Sequence, residues 1–202
     1  MKTKTAAMTM AEILVSVSLL GILMTAALAM YFMTNSVVAS GRIRSELMSE
    51  IQVAANRLTR DIEGSAASCI SIDSSLNAAG LISAVGDPSG YTLQPNGDLI
   101  WQKYVVYYLH NQELFRREIA LGAGDPQRLN PTVIENYDPG GGSQALSAYL
   151  SGGRILARRL TRFELETLSN FSVRMRMAVE TPATARTRAQ KITLESVAFP
   201  RN

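Results

Sequence analysis

The sequence predicts an α+β protein, in which one long amino-terminal helix, apolar in its first half and amphipathic in its second, packs across an antiparallel sheet. Three observations predict it. Residues 13–33 hold 21 consecutive positions without a charge. Residues 42–63 place apolar side chains at spacings of three and four, and from residue 103 onward several segments alternate apolar with polar. A chain of 202 residues is long enough for one helical anchor and one domain of ordinary size.

The uncharged stretch would span about 31 Å as a helix, which matches the hydrocarbon thickness of a bilayer. Lys2 and Lys4 precede it, so the positive-inside tendency predicts a cytoplasmic amino end and, in a bacterium, a periplasmic domain. One acid, Glu12, stands at the start of the apolar run. A carboxylate near the bilayer centre costs about 3 kcal/mol, so it asks for a compensating cation, and a plain anchor gains nothing from it. From Arg42 the pattern RIRSELMSEIQVAANRLTRDIEG puts Ile43, Leu47, Ile51, Ala54, Leu58 and Ile62 on one stripe. Arg42 with Glu46 and Arg57 with Asp61 are spaced for modest surface pairs at i,i+4. No proline interrupts residues 8–63; Gly21 and Gly41 are points where the helix can bend, and Gly64 is its natural end. The expectation is one helix of about 55 residues, about 80 Å long.

Residues 64–90 are rich in Ser, Ala and Gly and read as a connecting loop, with a short strand in ASCISID. KYVVYYL and ELFRREI flank His110, Asn111 and Gln112 as a hairpin. RFELETL and FSVRMRMAVE flank Ser169 and Asn170, with Phe171, Val173, Met175, Met177 and Val179 predicted on one core-facing side. KITLESVAF supplies a last strand, and the Gly- and Pro-rich stretches 121–131 and 138–153 read as surface loops.

Charge and composition argue against most chemistries. Taking Lys2 and Lys4 from the 20 basic side chains leaves 18 against 17 acidic ones, so the remainder is not strongly basic. Arg116 with Arg117 and Arg158 with Arg159 are local pairs, and Arg174 with Arg176 would share a strand face as a small basic patch. No aromatic residues alternate with those two arginines to stack bases, which disfavours nucleic acid. The single cysteine, Cys69, forms no intramolecular disulfide and reads as a buried small hydrophobe; His110 reads as a solvated turn residue. Asp87, Asp125 and Asp138 match no calcium-loop spacing and suit turns. Glu164 and Glu166 lie opposite Phe163 and Leu165 and read as solvated. With no nucleophile elbow, phosphate loop or zinc pair, the sequence offers no catalytic residue, no metal site and no cofactor.

The leader and helix start, KTAAMTMAEILVSVSLLGIL, resemble the prepilin-type cleavage and methylation segment of type IV pilins and type II secretion pseudopilins. That family cuts after a small residue and before a large apolar one, follows with Thr and then Glu, and carries Gly-Ile-Leu further along. Ala7, Met8, Thr9, Glu12 and Gly21-Ile22-Leu23 stand at those places, with Ala7 for the usual Gly and Met8 for the usual Phe. The resemblance implies a leader over residues 1–7, cleavage between Ala7 and Met8, N-methylation of Met8, and a filament-core or transmembrane half-helix over 8–41 packed through Gly21, Ile22 and Leu23. An amphipathic half-helix over 42–63 and a pilin-like globular domain over 64–202 would follow. Glu12 would pair with the new α-amine of a neighbouring subunit. QVAANRLTRDIEGSAAS, VVYYLHNQELFRRE, LARRLTRFELETL and the terminal Arg201-Asn202 look most like J-type pseudopilins and W-type minor pilins, although the disulfide of many major pilins is missing. The implied protein is a minor subunit at the tip of a pseudopilus or pilus, in the bacterial inner membrane. Its implied partners are other major and minor subunits, the prepilin peptidase and the inner-membrane assembly platform, with the chain a substrate of that peptidase and not itself an enzyme.

A different expectation treats Lys2 and Lys4 as the basic start of an ordinary secretory signal, residues 13–24 as its apolar core and Ala27-Leu28-Ala29 as its cleavage site. It predicts a secreted or membrane-anchored periplasmic protein, cut after Ala29, and leaves Glu12 without a role.

Overall fold

The computed structural model describes residues 9–86, 90–137, 143–181 and 189–200. It has the α+β composition predicted: a helix α1, Met10–Glu63, of 54 residues, followed by strands that pair antiparallel throughout. Helix α1 runs without interruption through Gly21 and Gly41, and a Cβ at either glycine would meet nothing within 4 Å. The chain divides into two compact units, the first holding α1 through Ile43 and the second beginning at Arg44. In the first unit the large apolar side chains of residues 13–38 are exposed, from Ile13 at 49% to Met33 at 72%.

The second unit contains two main sheets. The five-stranded sheet has the order β1-β2-β5-β6-β7, with β1 Ser71–Asp73, β2 Ala78–Ser83, β5 Lys103–His110, β6 Glu113–Ala120 and β7 Arg154–Ala157. The three-stranded sheet has the order β10-β9-β8, with β8 Leu160–Thr167, β9 Val173–Thr181 and β10 Gln190–Ala198. A small ribbon joins β3 Thr92–Leu93 to β4 Leu99–Ile100. The single sheet of the sequence reading is therefore corrected to two sheets and a ribbon.

The stripe of α1 is buried at Leu47, Ile51, Ala54, Leu58 and Ile62, while Ile43 is only half-buried. It touches both sheets: Asp61 bonds to side chains of β5 and β6, and Thr59 Oγ1 lies 4.0 Å from Met175 Sδ on β9. On β9 the predicted alternation holds for Val173, Met175, Met177 and Val179, all buried. Phe171 is the exception. It sits in the β8–β9 turn at φ +62°, 64% exposed, because the chain reverses through Leu168 and Ser172 before the strand begins.

Strand β5 is buried on both sides, which explains its nearly continuous apolar run. Val105 and Tyr107 alternate with Tyr104, Val106 and Tyr108, and the latter three join a second cluster with Ile82, Ile134, Leu146 and Tyr149. That cluster corrects two expectations. The stretches 121–131 and 138–153 are not simply surface loops, since Leu121 is buried, and Leu146 and Tyr149 are buried in a short 3-10 turn that covers this face. Residues 64–90 are not simply a connector either, since β2 lies inside the sheet with all six residues buried. Gly80 makes that packing fit: a Cβ there would stand 2.5 Å from Ile134 Cγ2. The β5–β6 hairpin turns through Asn111 and Gln112 at φ +49° and +63°, the paired left-handed geometry of a two-residue turn, with His110 at the exposed end of β5.

Candidate functional site

Thr9 precedes the first turn of α1 and Glu12 is its third residue. The Thr9 backbone N–H and hydroxyl donate to Glu12 Oε2 at 2.8 and 3.0 Å, and the Glu12 N–H donates to Thr9 Oγ1 at 3.3 Å. This reciprocal arrangement is a capping box, which satisfies backbone donors that the helix start leaves open. It also places the carboxylate at the positive end of the helix dipole. The expectation that a plain anchor gains nothing from Glu12 is thereby corrected, since the residue caps its own helix. The carboxylate is nevertheless exposed.

Ala7 and Met8, like Lys2 and Lys4, lie outside the described residues, as do Asp87, Asp138, Arg201 and Asn202. Gly21, Ile22 and Leu23 lie on the exposed part of α1, with Ile22 and Leu23 64% and 67% exposed. Three hydroxyls in this apolar stretch bond back to the helix: Ser18 donates to the Leu14 carbonyl, Thr25 to that of Ile22 and Ser36 to that of Met33, at 2.7–2.8 Å. Among the described residues, α1 is the one helix long and apolar enough to cross a membrane.

The second site is a buried ionic cluster. Asp61, in the last turn of α1, accepts through Oδ2 from Tyr107 Oη and from Arg116 Nε, each at 2.7 Å. Tyr107 and Arg116 are direct partners across β5 and β6, and the guanidinium carbon lies 5.9 Å from the Tyr107 ring centre. Arg116 Nη1 donates to Glu118 Oε1, and Lys103 Nζ donates to Glu118 Oε2 at 2.9 Å. Arg116 is 2% exposed and Asp61 5%. Burial acts to lower the Arg116 pKa, but the hydrogen bond it donates to Asp61 and the charges of Tyr107 and Asp61 outweigh burial and raise it, so the group stays a cation. Burial acts to raise the Glu118 carboxyl, and the hydrogen bonds from Arg116 and Lys103 outweigh it and bring it down to about 2. Burial first, then the Asp61 charge, pushes the Tyr107 phenol well above its ordinary range, so it remains a donor.

The i,i+4 spacing predicts a surface pair of Arg57 with Asp61. Their contact is a loose 3.7 Å, and Asp61 points into the core. The signal was legible in the spacing: Leu47, Ile51, Ala54 and Leu58 repeat every four and three residues, and the next step falls on Asp61. On β6, Arg116 follows Leu114 by two and so shares its inward face.

On the three-stranded sheet the arginines of β8 and β9 are ion-paired. Arg174 and Arg176 share a face, but Arg174 contacts Glu166 at 3.3 Å and Glu195 at 3.4 Å, and Arg176 contacts Glu195 at 3.3 Å. The basic patch is therefore a mixed-charge ladder. Glu164 pairs with Arg162 at 2.6 Å, so it and Glu166 are ion-paired as well as solvated. Cys69 is buried and free, and burial raises its thiol pKa. Asp125 caps a 3-10 turn by accepting from Gln127 N at 2.9 Å, the turn role its sequence suggested. Among the described residues no group of three His, Cys, Asp or Glu is placed to hold a metal ion. Comparisons with protein-family models, with curated proteins and with solved structures give no match.

Proposed function

We propose that this chain is a pilin-like structural subunit, of the minor pseudopilin or minor pilin kind, which is cleaved after Ala7, methylated on Met8, and packed into a filament through the first half of α1. One observation carries the proposal: a single continuous helix supplies both an exposed, uncharged stretch headed by one acid and, in its second half, the core stripe of an α+β domain. Exposed apolar side chains on this scale need a nonaqueous partner, whether lipid or neighbouring helices. The back-bonded hydroxyls of Ser18, Thr25 and Ser36 make the stretch compatible with either.

In this role the chain first spans the inner membrane with its domain in the periplasm, then leaves the bilayer for the filament, where helices of other subunits replace lipid. The exposed carboxylate of Glu12 receives the α-amine of a neighbouring Met8, which sets axial register and neutralises both charges. The domain contacts other minor subunits, and the peptidase and assembly platform act on the chain as partners. Mass spectrometry of the mature amino terminus tests this. A chain beginning at N-methylated Met8 is expected, whereas one beginning at Met30 would establish ordinary signal cleavage after Ala29 and end the subunit reading.

A further inference from the structure

Beside the buried ionic cluster, and independent of the filament reading, lies an open recess of about 390 Å³ lined by Arg57, Lys103, Arg116, Glu118, Gly153 and Arg154. Its lining brings together four cations from four elements: Arg57 from α1, Lys103 from β5, Arg116 from β6 and Arg154 from β7. Arg116 and Arg154 are direct cross-strand partners, so two like charges share one face where such pairs repel. Nearby anions leave an excess. Asp61 and Glu118 face these cations; Asp61 is taken up by Arg116 and Tyr107 through Oδ2 and lies 3.7 Å from Arg57 through Oδ1, and Glu118 is taken up by Arg116 and Lys103, so two carboxylates face four cations. Arg154 makes no ion pair among the described residues, and the Nε of Arg57 and the Nη2 of Arg116 are buried without a hydrogen-bond acceptor.

The backbone keeps the recess close to the sheet. Gly153 has φ +99°, and a Cβ there would come within 2.8 Å of the Arg116 carbonyl oxygen, so a larger residue would push β7 away. A pocket with surplus guanidinium charge and unused N–H donors is complementary to a small oxyanion, whose several lone pairs accept from guanidinium forks.

We propose that this recess binds a free oxyanion, of phosphate or small-carboxylate type, which ties the end of α1 to strands β5, β6 and β7. Arg154 supplies the mouth cation, Arg57 the helix cation, and Arg116 the buried positive charge beneath them. Such a ligand relieves the Arg116–Arg154 repulsion and stabilises the folded domain by mass action.

The test uses the full chain in a neutral maltoside detergent and low-chloride buffer, titrated calorimetrically with inorganic phosphate and, separately, with acetate. Saturable binding of phosphate alone identifies a phosphate-type site, and binding of both identifies a general carboxylate and phosphate site. Arg154→Gln should weaken binding about tenfold, the loss of one charge-assisted hydrogen bond, while Arg154→Lys retains most of it. The control Arg162→Gln, an exposed arginine on β8, should leave affinity unchanged. Absence of saturable binding for both anions, or equal weakening by the Arg154 and Arg162 substitutions, overturns the proposal.

Discussion

Asp61 shows how one residue inverts its apparent role when the second partner is nonlocal. Its i,i+4 neighbour Arg57 suggested a surface pair, yet Arg116, 55 positions away in sequence, takes the short contact in the core. Removing one member of a buried pair strands the other charge, so Asp61→Ala should lower stability by about 3–5 kcal/mol. Replacing both, as Asp61→Leu with Arg116→Met, should recover much of that loss; thermal unfolding in detergent checks both variants. Glu118 carries a pH signature. Its folded carboxyl lies at about 2, below the ordinary value of 4.5, so its stabilising contribution is complete above the ordinary value and drains away as pH falls toward 2. An acid-unfolding series should therefore be flatter for Glu118→Gln than for the native chain across that window, and parallel curves would contradict the assignment. The inward positions of Asp61 and Arg116 could be read from helical and strand periodicity. Their pairing could not, because register between α1 and β6 is set by the fold as a whole.

At the scale of elements, periodicity made α1 and strands β6, β8, β9 and β10 legible, and β5 was legible as a long run of β-branched and aromatic residues ending at a turn. Strand β2 escaped because AAGLIS combines small residues with no alternation: it is buried on both sides, and the residues suggesting a loop are small for packing reasons. Gly80 is the clearest case, with Ile134 occupying the space a Cβ would need. Gly80→Ala should destabilise the domain by about 1–3 kcal/mol through overpacking, and pairing it with Ile134→Ala should make the second substitution less costly than it is alone. A thermal-unfolding double-mutant cycle with no coupling would contradict this contact. The 3-10 turn bearing Leu146 and Tyr149 was hidden for the opposite reason, because Gly-rich flanks masked two core residues.

For the whole molecule, the proposed account has one helix serve as anchor, filament core and domain core in succession. Glu12 is the pivot, and the structure gives it two separable tasks: capping α1 with Thr9, and presenting an exposed carboxylate. Glu12→Gln keeps a capping side chain but removes the charge, whereas Thr9→Val removes the hydroxyl half of the cap and keeps the charge. The most direct measurement is recovery of each variant in the sheared or cross-linked filament fraction beside wild-type partner subunits, with processing and membrane insertion followed in parallel. The account predicts that Glu12→Gln is processed and inserted but lost from the filament, while Thr9→Val assembles. Normal incorporation of Glu12→Gln, or equal loss of both variants, would contradict it.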